Sequence, residues 1–231
     1  MPSAQRIGRL FGLLILVQAV AAPVLNFVLL QPALSSAAGF LVDAAPRASQ
    51  VRLGVGLGLV VATIPVAMAL LAWPLFRRGS PVLARACVVL ACAGLLLAAV
   101  EGWLLLELLA LSQDYHAADA AGQANRAAQG GGTVLSLRMA CHYTGLVAGG
   151  AINLAFYAAM YRGALIWRPW AAFGMAAAAL LMTSALLPLF GGHVVLALML
   201  PLGLCHLALA AWLLWRGFPE RPAAVADATA A

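Results

Sequence analysis

Six long apolar runs fill most of this sequence, and they constrain its fold more than any other feature. The runs cover about residues 9–30, 53–75, 82–112, 134–160, 170–190 and 193–215. A helix crosses a hydrocarbon core of about 30 Å in roughly 20 residues, so each run is long enough to span a bilayer. Lipid cannot hydrogen-bond open backbone groups, and the spans must therefore be helical. The sequence predicts an all-α fold, a six-transmembrane-helix bundle.

Composition supports a chain surrounded by lipid rather than water. Hydrophobic residues make up 65% of the 231 residues and charged residues only 9%, whereas a soluble domain carries about 25% charged residues. We expect a single integral membrane domain over residues 1–218 and a disordered, alanine-rich tail over residues 219–231. Abundant alanine and the absence of lysine indicate a bacterial, GC-rich genome.

The arginines predict how the bundle is oriented. Sorted by the ends of the six runs, nine lie on the side that carries both termini and four on the opposite side. The nine are Arg6, Arg9, Arg77, Arg78, Arg85, Arg162, Arg168, Arg216 and Arg221. The four are Arg47, Arg52, Arg126 and Arg138. Because arginine stays in the cytoplasm during insertion, both the N- and C-termini are predicted to be cytoplasmic.

The first apolar run allows a second interpretation. Two arginines, an apolar stretch and the small residues Ala19, Val20 and Ala21 resemble a cleavable signal peptide. The stretch continues to Leu30, however, and is long enough to span. We therefore predict an uncleaved first helix in a multi-pass protein of the bacterial inner membrane.

Polar side chains inside the spans are the candidate site, because a charge at the bilayer centre costs about 2.5–3.5 kcal/mol on insertion scales. By depth, Glu107 and Arg138 lie about one turn inside the outer boundary, and Glu101 and His142 two to three turns inside. His193 begins the sixth run, at the same outer level. The candidate ligand-binding residues are Asn26, Glu101, Glu107, Arg138, His142, Tyr143, Asn153 and His193.

The fourth run carries a polar and small-residue stripe. Arg138, His142, Gly145, Gly149 and Asn153 recur at three- to four-residue spacing and so share one helix face. Gly145 and Gly149 form a GxxxG, which predicts close approach of a neighbouring helix. We infer that this face points into the bundle, toward the third helix.

These polar groups admit two interpretations. In one, Glu107 pairs with Arg138 and Glu101 with His142, and the pairs only fix helix packing. In the other, the same groups line a cavity open to the outside that binds or conducts a small molecule, lipid or ion. A membrane-embedded hydrolase with Glu101, Glu107, His142 and His193 around a metal or a water is the alternative function.

Several classes of site and partner are disfavoured. No HExxH occurs, and Glu101 and Glu107 point about 120° apart on a helix, so we expect no metal and no cofactor. The four cysteines contain no CxxC, and we interpret Cys205 and His206 as packing residues. No helix carries a basic face, which excludes nucleic acid as a partner. Membrane lipids are the expected partners, and the oligomeric state stays open.

Several segments resemble one bacterial membrane protein family. They are the opening RIGRLFGLLILVQ, the turn RRGSP, the segment HYTGLVAGGAINLAFYAAMYRGALIWRPWAAFGM and the closing LAAWLLWRGFP. Together they resemble the six-helix proteins grouped as domain of unknown function 4386. The resemblance covers most of the chain and implies an inner-membrane helical bundle. It implies no reaction and no catalytic residue.

Overall fold

The computed structural model describes residues 3–34, 39–119, 121–123 and 131–220. Within these ranges the chain is helical and without strands, and six helices are long and apolar enough to cross a membrane. They are α1 (Ala4–Leu34), α2 (Ala48–Gly79), α3 (Pro81–Ala117), α4 (Gly131–Arg162), α5 (Arg168–Leu186) and α6 (Leu196–Arg216). The predicted all-α architecture with six spans is confirmed.

Two predicted segments fall partly outside the described residues. The tail predicted to be disordered, 219–231, is described only as far as Glu220. Of residues 113–133, which separate the third and fourth apolar runs, α3 takes the first part by continuing to Ala117, and residues 120 and 124–130 lie outside the described ranges. At about 1.5 Å per residue the 37 residues of α3 extend about 55 Å, well beyond a hydrocarbon core.

Local chemistry sets the sharpest helix boundaries. Ser80 separates α2 from α3, and its hydroxyl accepts the Leu83 N–H at 3.3 Å while Pro81 occupies the first helical position. At the other end of the bundle, α6 begins at Leu196, so the predicted start at residue 193 is wrong. The reason is a non-helical connection that Ser184 holds by bonding both the N–H and the C=O of Val195 at 3.0 Å.

The six helices form a ring in which each packs against the next along the chain, and α6 closes against α1. Short connections favour this antiparallel order of neighbours. Both described chain ends lie at one end of the ring, where Gly217 contacts Gln5 and a Cβ on Gly8 would overlap the backbone of Phe218. We call this the terminal end, and we call the opposite end, with the connections after α1 and α3, the loop end.

Four phenylalanine rings close the centre of the bundle in its terminal half. Phe11, Phe76, Phe156 and Phe218 are all buried, and their ring centroids lie 5.5–6.2 Å apart. Tilted and edge-on pairs at these distances contribute about 0.5–1.5 kcal/mol each beyond their burial. We call these four residues the phenylalanine floor.

The loop half of the bundle is packed more loosely. In α1 no residue of 16–29 is buried, and in α4 none of 139–149 is, although both stretches are fully described. The predicted close helix approach at Gly145 and Gly149 is wrong, since a Cβ at either position would meet no atom within 4 Å. Gly150, about 100° further around the helix, makes the tight contact instead, against Met182 of α5.

A short helical turn, Phe40–Asp43, is fixed to α3 at the loop end. The buried Ser112 hydroxyl donates to the Leu41 carbonyl and accepts the Ala45 N–H, both at 2.8 Å. Asp43 and Arg47 form an ion pair at 2.7 Å beside it. These contacts hold the connection between α1 and α2 against the end of α3.

Candidate functional site

The candidate site is built around Glu101 on α3. Glu101 lies 20 residues after Pro81, which places it about 30 Å along the helix axis. Because the 37 residues of α3 extend about 55 Å, the carboxylate lies in the loop half of this helix. Its side chain is 20% exposed and points at α4.

One oxygen of Glu101 holds two side chains of α4. Oε1 accepts from Arg138 Nη2 at 2.9 Å and from His142 Nδ1 at 2.9 Å. Arg138 and His142 are four residues apart and therefore lie above one another on one face. We call these three residues the Glu101 cluster. Because Nδ1 of His142 faces the carboxylate, Nε2 is the ring nitrogen outside this contact.

The pairing differs in part from the two predicted pairs. The contact between Glu101 and His142 is present, but the predicted pair of Glu107 with Arg138 is wrong because Arg138 bonds Glu101. Glu107 is exposed. Six helical residues turn the second glutamate about 120° from the first, so the two acids cannot both face α4.

Arg138 keeps unused donor capacity although it is 7% exposed. Its Nη1 contacts the Met139 sulfur at 3.3 Å, a weak acceptor. Its buried Nε has no hydrogen-bond partner in the part of the chain that the structure describes. A buried donor without a partner costs about 1–3 kcal/mol.

A cleft of about 160 Å³ lies beside this arginine. It separates α1 from α4, which stand opposite each other in the ring. Its lining residues are Asn26, Phe27, Leu30, Gln31, Leu34, Arg138 and His142. We call this space the loop-end cleft. Its wall on α1 carries both apolar and amide side chains, and its wall on α4 carries the donors of Arg138 and His142.

The wall on α1 is a π-helical segment, Val24–Leu30, that follows Pro23. Asn26 gives its side-chain N–H to the Ala22 carbonyl at 2.9 Å, and its own carbonyl accepts the Gln31 N–H of the wider turn. Gln50 of α2 donates to the Val28 carbonyl at 2.8 Å and so fixes the segment to the bundle. π-Helical turns are rare and occur often at functional sites.

A family model described as a domain of unknown function (DUF4386) matches residues 10–217. The chain belongs to the DUF4386 family. The match confirms the resemblance predicted from the sequence, and it extends from α1 to the end of α6. No curated protein and no solved structure matches this DUF4386 member.

The remaining predicted site residues of the DUF4386 chain lie apart from the cleft lining. Tyr143 packs its ring edge-on against His142, with centroids 5.6 Å apart. Asn153 donates to the Gly149 carbonyl of its own helix at 2.9 Å. His193 is exposed in the connection before α6 rather than at the start of that helix. Of the eight predicted residues, the structure gathers Asn26, Glu101, Arg138 and His142 around the cleft, with Tyr143 adjacent.

This placement does not support the hydrolytic alternative for the DUF4386 chain. That alternative needs Glu107 and His193 beside Glu101 and His142, and both are exposed elsewhere. In addition, the described residues contain no group of three or more histidine, cysteine, aspartate or glutamate side chains arranged to hold a metal.

A second polar cluster, which the sequence did not predict, lies in the terminal half. Tyr157 donates its hydroxyl to Cys205 Sγ at 3.3 Å, and Trp170 Nε1 donates to the same sulfur at 3.2 Å. His206 stacks on Tyr157 at 5.9 Å between centroids. Cys205 is buried among these rings, in agreement with its interpretation as a packing residue.

Proposed function

We propose that this DUF4386 protein lies in the bacterial inner membrane with both termini in the cytoplasm, and that it binds a small molecule in the loop-end cleft from the outer side. Among the described residues, eight arginines at the terminal end against three toward the loop end support this orientation. In that orientation the Glu101 cluster lies in the outer half of the bilayer.

The observation that carries the proposal is the position of Arg138. A guanidinium in this depth of membrane is costly and is retained where it has a partner or a role. Here one side of it is paired with Glu101, its buried Nε has no partner among the described residues, and the side chain lines the loop-end cleft. A ligand with an acceptor group would complete its hydrogen bonds.

A purely structural role for the cluster fits the geometry less well. A structural ion pair is most stable when every donor is satisfied and the surroundings are packed. In this protein the helix face below Arg138 meets open space at Gly145 and Gly149. The open face and the free donor both favour a binding site.

The volume of the cleft limits the ligand. A space of about 160 Å³ equals roughly five water volumes at about 30 Å³ each, so it takes a small molecule or the head group of a larger one. Asn26 and Gln31 offer amide groups on one wall, and Phe27, Leu30 and Leu34 offer apolar surface. Binding to such a site requires no catalytic group.

Cysteine labelling tests both the orientation and the open cleft. In a background with Cys92 and Cys141 replaced by alanine, Asn26→Cys is exposed to a membrane-impermeant sulfonate thiol reagent. Thiols react as thiolates and therefore need water. We expect labelling in right-side-out vesicles and little labelling in inside-out vesicles.

Leu25→Cys is the matched control, because Leu25 lies at nearly the same depth but packs toward Gly58 of α2, at 3.4 Å from a Cβ built there. It should stay unlabelled from either side. Equal labelling of the two cysteines would mean that the cleft is not a distinct water-filled space. Labelling of Asn26→Cys only in inside-out vesicles would reverse the orientation and contradict the proposal.

A further inference from the structure

We propose that the ligand of the loop-end cleft is a monoanionic carboxylate on an alkyl chain, which enters from the outer leaflet of the membrane. This inference rests on the proposed function, because it names the chemical class that the same cleft would take. Its support comes from the charge of the Glu101 cluster, from the donors around the cleft and from the way α1 borders the lipid.

The charges of the cluster favour a ligand with a single negative charge. The Arg138 guanidinium, which is paired with Glu101, lines the cleft and is the cation that a carboxylate would meet there. A monoanionic head shares this guanidinium with Glu101, and each further negative charge would add repulsion from the Glu101 carboxylate.

The donors around the cleft match a carboxylate. Arginine binds carboxylates through parallel N–H groups, and these charge-assisted hydrogen bonds are stronger than neutral ones. The Arg138 side chain lines one wall of the cleft, and the amide of Gln31 lies on the facing wall. A dianionic head would place a second negative charge next to Glu101 with nothing in the lining to balance it.

The wall of α1 leaves the cleft continuous with the lipid-facing surface. Phe27 lines the cleft and is nevertheless 62% exposed. α6 packs tightly on α1 at Gly12, in the terminal half. Beyond Ile15, no side chain of α1 is buried until Leu30. An alkyl chain whose head is at Arg138 can therefore pass along Phe27 into the acyl region, where its methylenes stay in apolar surroundings.

Binding of radiolabelled dodecanoate tests directly whether the cleft takes an alkyl carboxylate. The full chain is placed in phosphatidylcholine nanodiscs, and counts bound to protein-free discs are subtracted. We expect saturable binding that unlabelled dodecanoate displaces. Dodecanol, which has the same chain without the charge, should displace it at least about tenfold less well, because charge-assisted hydrogen bonds contribute more than neutral ones.

Gln31→Glu is the diagnostic variant, since Gln31 is exposed and the substitution leaves the packing intact. The added negative charge on the cleft wall should weaken dodecanoate about five- to tenfold. Gln113→Glu makes the same charge change at an exposed loop-end position outside the lining and should leave the affinity unchanged. The double variant Glu101→Gln/Arg138→Gln, which keeps an amide pair, should lose saturable binding while retaining labelling at Asn26→Cys.

The outcomes separate this inference from the proposed function. Absence of saturable dodecanoate binding, or equal displacement by dodecanol, overturns the carboxylate assignment while leaving an outward cleft that still labels at Asn26→Cys. Displacement by butyrate as effective as by dodecanoate assigns the site to free water-soluble carboxylates and overturns the membrane source. Failure of Asn26→Cys to label from the outside overturns the proposed function itself.

Discussion

Replacing Glu101 by leucine should destabilise the protein because it leaves Arg138 buried without its counter-charge. Removing one partner of a buried ion pair costs about 3–5 kcal/mol. Glu101 is one-fifth exposed, so we expect the lower end of that range, about 3 kcal/mol. The double variant Glu101→Leu/Arg138→Leu removes both charges, and it should return to within about 1 kcal/mol of the native free energy of unfolding.

The measurement is unfolding of the purified protein in mixed micelles with increasing SDS, followed by the fluorescence of its six tryptophans. Glu101→Gln is an intermediate case, because the amide oxygen still accepts from Arg138 and His142 but without charge. The reasoning predicts the order Glu101→Leu least stable, then Glu101→Gln, then the double leucine variant. A double variant as unstable as Glu101→Leu would refute it, since the loss would then not come from an unpaired arginine.

Four further substitutions test the packing, each by the same SDS titration unless another assay is named. Ser112→Ala removes two hydrogen bonds to the connection after α1 and should lower the local stability of the Phe40–Asp43 turn by about 1–3 kcal/mol, measured as faster amide hydrogen exchange. Unchanged exchange rates would show that the turn does not depend on this hydroxyl. Gly174→Ala should lower stability by about 1–3 kcal/mol because its Cβ would overlap the Tyr157 ring, and a neutral result would show that the ring moves freely. Gly145→Ala faces open space and should be neutral or stabilising by about 0.5–1 kcal/mol, so a clear loss would mean that a neighbour packs there. Phe11→Ala should cost about 3–5 kcal/mol, and a smaller loss would show that the phenylalanine floor is not tightly packed.

The six helices could be predicted because the apolar runs that encode them are long and favour a single interpretation, a membrane-spanning helix. Each run exceeds the thickness of a bilayer, and the chain has too few charges for any other surface. The start of α6 could not be predicted from hydropathy, because Val195 is as apolar as a helical residue but is held by Ser184 in an extended conformation. A hydropathy value averaged over a window of residues carries no information about the hydrogen bonds that a single hydroxyl group makes.

The candidate site was predictable only for pairs of residues that share both the same depth in the bundle and facing positions around their helix axes. Comparing depths across the α3–α4 connection placed Glu101 near His142, and the structure has that contact. The same comparison assigned Glu107 to Arg138 and failed, because equal depth does not imply equal rotation about the helix axis. The GxxxG of α4 failed for a related reason: the motif permits close approach but does not specify a neighbour, and none lies against Gly145.

The wall on α1 was missed because nothing polar marks most of it. Phe27, Leu30 and Leu34 belong to the lipid-like run of the first span. Their direction depends on the π-helical turns from Val24 to Leu30, which change the number of residues per turn and therefore the face on which each side chain lies. Pro23 was the available signal, since proline removes a helical hydrogen bond.

The two halves of the bundle together favour binding over conduction. A conducting path needs a continuous polar or hydrated route, and an apolar constriction blocks ions by excluding water. The loop-end cleft has donors on α4, whereas the phenylalanine floor packs four buried rings together in the terminal half. Passage would require the Phe11 and Phe156 rings to separate, although their centroids lie 5.5 Å apart. It would also require α1 to move away from α6 at Gly12, where the two helices are in tight contact. This arrangement therefore fits the proposed binding of a small molecule better than it fits conduction.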